Sequence, residues 1–389
     1  MTFGVLALIV LAGLAGPLLA LGRRPLAPVV VGEIFAGVVI GTSGFRWLDP
    51  SQPTVSFLAQ IGFAMLMFAV GMSVPVRDPR LLAGLRRGGL AAAIAALLAV
   101  PFGFLASLAT DTHHPAVYAL LLASGSAAIL LPALEERGLM EDRRALTVMA
   151  QVAIADVAAI VLVPLVLRPG HALRAGLGGI GVAACILLFY AVAHLLLAGR
   201  PWVRRVRRWS KERHWALDLR LSLLVLFGLA WVAQSLGTSV LIAGFGVGLM
   251  VAAVGGPKRL TRQVVGVAQG FMIPIFFVVL GASLDVRTLV THPILIALAA
   301  LLVACNVALH VLAALLTRQP VGAGLAATAQ LGVPAAVVAL GLHEHVLTSG
   351  VASAIVAAAL ASLPLTAAGV TLLGRRRSPA QPAATAAAT

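Results

Sequence analysis

Thirteen long apolar stretches follow one another along this chain, near 3–21, 27–44, 54–76, 88–109, 115–134, 145–167, 175–198, 217–234, 237–255, 264–284, 291–316, 321–342 and 346–373. About 20 apolar residues suffice to cross roughly 30 Å of hydrocarbon as a helix. Backbone in lipid must satisfy its own polar groups, so this succession implies an all-α polytopic membrane protein with 13 transmembrane helices. A mean hydropathy of +1.05, with 61% hydrophobic and 11% charged residues, excludes an ordinary soluble domain.

The basic residues test the count independently. With the N-terminus outside, the odd-numbered loops and the C-terminus are cytoplasmic, and they hold 24 of the 28 lysines and arginines. Only Arg46, Arg168, Arg174 and Arg287 fall outside. The positive-inside rule gives such a bias only when the span count is right. The net charge of +15 therefore reflects topology and does not call for nucleic acid. The basic loop 199–215 is expected to anchor that topology, as an amphipathic helix on anionic lipid. The first stretch has no basic region before it and Arg23-Arg24 after it, the reverse of a cleavable signal, and is expected to remain as the first span. Cys185 and Cys305 both lie in apolar runs and read as small core residues.

Residues 70–77 (VGMSVPVR) and 280–287 (LGASLDVR) match at Gly71/Gly281, Ser73/Ser283, Val76/Val286 and Arg77/Arg287, an offset of 210. The topology puts Arg77 inside and Arg287 outside, the pattern of two halves in opposite orientation. Repeats over approximately 3–167 and 217–373 follow, with a linker helix at 175–198, all within one transmembrane domain of residues 1–373. Residues 374–389 read as a cytoplasmic, disordered tail. In the fifth span Ser124-Gly125-Ser126 interrupts the helical pattern at mid-depth. The offset leads from there into the twelfth span, where Gly332 and Pro334 interrupt the pattern too. Broken backbone survives in a membrane only where protein or a wet cavity satisfies it, so a matched pair of breaks points to a binding site.

One charge stands out. Asp156 is the only charged residue among the 23 positions from 145 to 167. A carboxylate at the middle of such a helix costs about 3 kcal/mol and implies a use.

The stretches PVVVGEIFAGVVIGTSGF (28–45), LAQIGFAMLMFAVGM (58–72), SGSAAILLPALEERGLM (124–140) and IPIFFVVLGASLDV (273–286) resemble the bacterial monovalent cation:proton antiporters, the sodium/proton and potassium/proton exchangers. The resemblance covers the chain to about residue 373. It implies an inverted-repeat antiporter fold in which two broken helices cross, with Asp156, on the helix after the first, as the cation-binding and proton-binding carboxylate. It also implies a homodimer. This chain departs from its relatives in having Ala155 before the aspartate and no lysine between residue 259 and the end; the nearest position to the lysine that many relatives carry is Asn306.

Monovalent metal cations take oxygen ligands. Beside Asp156 these would come from Ser124, Ser126 and the carbonyls freed at the breaks around Gly125, Gly332 and Pro334. Competition of a proton and a cation for one carboxylate is the expected coupling, and with one acid and no lysine the exchange would be electroneutral. Candidate accessory residues are Asn306, Gln330, Gln151 and Glu33. Gln151, five residues before Asp156, lies roughly 140° around the helix and is expected to bond a neighbouring helix instead. His310 and His194 are expected to be satisfied core polar groups.

The expected function is thus exchange of Na+ or K+ for H+ by alternating access, with no cofactor and no enzymatic chemistry. An intramembrane hydrolase would need a second buried carboxylate or a His/Glu cluster in the spans. The alternative is a transporter of the same architecture that couples H+ or Na+ to an organic ion or small metabolite. Twenty-six arginines against two lysines, with abundant alanine, suggest a GC-rich bacterial gene and so a cytoplasmic membrane.

Overall fold

The computed structural model describes residues 2–21, 29–74, 79–192, 217–236, 239–254 and 266–375, with isolated positions between 200 and 215 and at 264. Every one of the thirteen apolar stretches holds helix. They are α1 (Phe3–Ala20), α2 (Val29–Ile40), α3 (Pro53–Ser73), α4 (Pro79–Thr110), α5 (Pro115–Ala123) with α6 (Ala127–Glu136), α7 (Arg143–Leu167), α8 (Ala172–Val192), α9 (Leu217–Ser235), α10 (Val240–Val254), α11 (Ala268–Ser283), α13 (Pro293–Leu316), α14 (Val321–Ala327) with α15 (Gly332–His343), and α16 (Ser349–Arg375). A short helix, α12 (Val286–Thr291), lies between α11 and α13. Among the described residues there is no strand.

Local chemistry places the ends. Pro53, Pro115 and Pro293 occupy the first turns of α3, α5 and α13, where the missing N–H has no intrahelical partner to lose. Asp142 caps α7 by accepting from Arg144 N at 2.7 Å, and Asp285 caps α12 by accepting from Thr288 N at 2.9 Å. Some boundaries differ from expectation. Among the described residues the helix of the second span covers twelve, and that of the fourth is already formed at Pro79, earlier than expected. The helix α16 runs to Arg375, two residues into the expected tail. Residues 376–389, the end of the expected linker at 193–198 and His194 lie outside the described residues.

Spans one to three and eight to ten pack together, as do spans four to six and eleven to thirteen. The repeat is visible at atomic detail. Both α3 and α11 end on their matched serines, whose hydroxyls donate back to Val70 O and Leu280 O at 2.7 Å. Each glycine of the matched pair lets backbones touch: an added Cβ would lie 2.2 Å from Phe245 O at Gly71 and 2.2 Å from Ile34 O at Gly281. Span three of the first half thus packs on span nine of the second, and span ten on span two. Lipid tails offer helices no hydrophobic reason to associate, so close backbone approach at small residues supplies the cohesion.

Candidate functional site

The fifth and twelfth spans are interrupted and meet at their interruptions. In the fifth, residues 124–126 leave the helix between α5 and α6. In the twelfth, the interruption is residues 328–331, earlier than the offset of 210 places it. Gly332 and Pro334 lie in the first turn of α15. Proline is tolerated there because its missing N–H is one that a first turn leaves free. The break therefore precedes these residues, and they start a new helix.

Asp156 is 1% exposed on α7. Its Oδ2 accepts from the backbone N–H of Ala127 at 3.3 Å, and its Oδ1 has no hydrogen-bond partner. Ala127 opens α6, so the carboxylate stands at a helix N-terminus, where free N–H groups and the helix dipole favour an anion. The break can come this close because residue 125 is glycine: an added Cβ would meet Val152 Cγ1 at 2.9 Å and Val152 O at 3.2 Å. Val152 is one turn before Asp156 on the same helix.

The two serines differ. Ser124 donates to Leu121 O at 2.7 Å, turned back on the end of α5. Ser126 is buried at the N-cap of α6, yet its side chain makes no capping hydrogen bond. Gln330 spans the two interruptions, donating to Leu121 O at 2.7 Å and to Asn306 Oδ1 at 3.3 Å. Asn306 donates in turn to Thr328 O at 3.1 Å, and Ser362 accepts from Gln330 N at 3.2 Å. Asn306 and Gln330 thus satisfy the broken backbone.

Gln151 meets His310 on α13, 3.4 Å from its Nδ1. His310, expected as a satisfied core polar group, is satisfied at Nδ1, while its buried Nε2 completes no hydrogen bond. Glu33 is brought to none of these groups: it is buried on α2, packed against Gly16 of α1. Sequence reasoning passed over the Ala127 N–H and the Thr328 carbonyl. The first was recoverable, because a helix restarting after a break must expose N–H groups; the second carries no signal in residue type.

A cavity of about 1080 Å³ opens elsewhere, lined by residues of the loops after spans two, six, eight, ten and twelve and by the helices of spans three, ten and twelve. Phe63 and Phe276 lie tilted against each other in its wall, with ring centroids 5.2 Å apart. Arg46, Arg168 and Arg287 also border it, as do Asp49, Asp285 and Glu344, while Asp156 does not. Arg168 and Glu344 form an ion pair that joins the ends of α7 and α15. Outside the spans, hydrogen bonds from Ser51 hold Asp49 below the ordinary carboxylate range, and those from Thr288 do the same for Asp285.

Known proteins place this architecture. The glutathione-regulated potassium-efflux system protein KefC of Enterobacter sp. (strain 638) is 29% identical over 274 residues, which is 68% of this chain and 42% of KefC. The putative Na(+)/H(+) antiporter YjbQ of Bacillus subtilis is 26% identical over 356 residues, 86% of this chain and 57% of YjbQ. The chain thus spans about two fifths to three fifths of the length of these relatives. The structure of the sodium proton antiporter MjNhaP1 from Methanocaldococcus jannaschii superposes with a TM-score of 0.70 at 16% identity, covering 96% of this chain and 98% of that one, and so shares the fold. The sequence pattern described as sodium/hydrogen exchanger, transmembrane, matches residues 5–375. The chain belongs to the sodium/hydrogen exchanger transmembrane family.

Proposed function

We propose that the chain exchanges a monovalent cation, Na+ or K+, for H+ across the membrane by alternating access, with Asp156 as the shared binding group. One observation carries the reading: a fully buried carboxylate has one oxygen on the N–H of a broken helix and the other free. A bare carboxylate at that depth is costly, whereas a proton or a cation removes most of the cost. The site therefore reorients occupied, and the two occupants exclude each other. Ser124, Ser126 and carbonyls at the breaks complete the cation's oxygen shell, and Asn306 and Gln330 hold those carbonyls in place. Asp156 is the one carboxylate brought to the breaks, which supports electroneutral exchange of one cation for one proton. The names of KefC and YjbQ, a potassium-efflux system and a putative Na(+)/H(+) antiporter, point the same way.

The distribution of basic residues supports an N-terminus outside and a cytoplasmic C-terminus in a bacterial cytoplasmic membrane. The large cavity then opens outward, since the loops that border it are all assigned to that side. Family resemblance supports a homodimer in the bilayer.

The test is proton flux in proteoliposomes under an imposed pH gradient, with Na+, K+ or Li+ added, for wild type and Asp156→Asn. Dissipation by one cation, lost in the variant, is expected. A gradient that no cation dissipates would overturn cation exchange and turn attention to an organic ion as cargo. A response to membrane voltage would overturn electroneutrality alone.

A further inference from the structure

We infer that His310 is a positioning residue that sets cation specificity, by competing with a cargo ion for the freed carbonyls of the first break. The inference rests on the cation-exchange reading above. His310 is 1% exposed on α13 and belongs to both sides of the site. Through Nδ1 it meets the side-chain amide of Gln151, on the helix that carries Asp156. On another side it faces the backbone carbonyls of Leu122 and Ser124, where α5 ends.

The tautomer follows from the partner. The amide nitrogen of Gln151 can only donate, so Nδ1 accepts and the imidazole proton sits on Nε2. That N–H is buried, and the approach of the ring to the Leu122 and Ser124 carbonyls falls short of a completed hydrogen bond at Nε2. An orphaned buried donor is costly, and native structures keep one where another arrangement of the same groups satisfies it. The carbonyls of Leu122 and Ser124 offer that arrangement, because the last carbonyls of a helix lack intrahelical partners.

These carbonyls are also what a dehydrated cation at the break would take as ligands. An imidazole N–H and a cation compete for the same lone pairs. With no ion present, a small closure of the break lets Nε2–H bond the carbonyls. With an ion present, the carbonyls turn to it and the N–H is released. The ring therefore limits how far the carbonyls close around the ion, and a smaller cation requires more closure than a larger one. Gln151 fixes the ring in this role by locking its tautomer and orientation.

The experiment measures cation-dependent proton flux for wild type, His310→Leu and His310→Gln, each checked for monodispersity, with KM and kcat taken separately for Na+, K+ and Li+. His310→Leu fills the space without a donor, and His310→Gln restores one. The expected result is a change of about threefold or more in the ratio of KM values between cations for His310→Leu, with that ratio returning towards wild type in His310→Gln. A uniform fall in kcat with the KM ratio unmoved would show a purely structural residue and overturn the inference. Misfolding of His310→Leu leaves the decision to Gln151→Leu, which frees the tautomer and is expected to shift the same ratio. Failure of the wild type to exchange any cation sinks the exchange reading and this inference together; exchange with an unmoved ratio sinks only the inference.

Discussion

Gln330 donates its side-chain amide to the backbone carbonyl of Leu121 at 2.7 Å, so the second interrupted span closes the frayed end of the first. The two breaks are one polar unit, held from outside by Asn306 and Ser362. On the exchange reading proposed above, such a unit moves as one, without exposing bare backbone to lipid.

Replacing Gln330 with leucine removes the donor from both Leu121 O and Asn306 Oδ1. Leu121 O keeps the Ser124 hydroxyl at 2.7 Å, so the loss falls mainly on Asn306. A cost of about 1–2 kcal/mol is expected. It should appear as a lower thermal midpoint at fixed scan rate, with flux reduced more than twofold. An unchanged midpoint would show that water replaces the amide.

The matched glycines make a paired prediction. Gly71→Ala and Gly281→Ala each place a methyl 2.2 Å from a backbone oxygen of the opposite half, at Phe245 and Ile34. Each should destabilise by about 1–3 kcal/mol or more, and by similar amounts. Gly228→Ala in α9 meets nothing within 4 Å and should be neutral or stabilising by about 0.5–1 kcal/mol. Thermal midpoints of the three purified variants decide it, and a strong asymmetry within the pair would argue against equivalent packing.

Asp285 predicts a pH dependence outside the spans. Its carboxylate accepts from Thr288 N at 2.9 Å and Thr288 Oγ1 at 2.6 Å, which lowers its pKa. A lowered folded pKa stabilises above the unfolded value, and the contribution is lost as pH falls through the folded one. Asp285→Ala should therefore cost about 1 kcal/mol at neutral pH, with the gap to wild type closing only below about pH 4. A gap that persists in acid would mean that the hydrogen bonds do not depend on the charge.

The ion pair of Arg168 and Glu344 is part-exposed, with side chains 33% and 20% accessible. Solvent screening limits such a pair, so a double-mutant cycle of Arg168→Gln and Glu344→Gln should give about 1 kcal/mol of coupling at low salt and less at 0.5 M. Coupling that salt leaves unchanged would indicate burial deeper than the structure has it.

Much of the architecture was legible because a membrane removes choices. Helix is the only open solution for an apolar stretch in lipid, so all thirteen spans followed from hydropathy, and the serines and glycines of 70–77 and 280–287 exposed the repeat. The first break was readable from Ser124-Gly125-Ser126. The second was misplaced onto Gly332 and Pro334, because residues that disfavour helix interiors are also common in first turns.

The sequence by itself determined the spans, their likeness across the two halves and the isolation of Asp156, all consequences of local hydropathy and of the cost of charge in lipid. Only the tertiary structure decided that Asp156 meets Ala127, that Gln151 turns to His310, and that Gln330 reaches Leu121. These pairings join residues as many as 209 positions apart. They depend on how two broken helices meet, and the period of neither helix encodes that meeting.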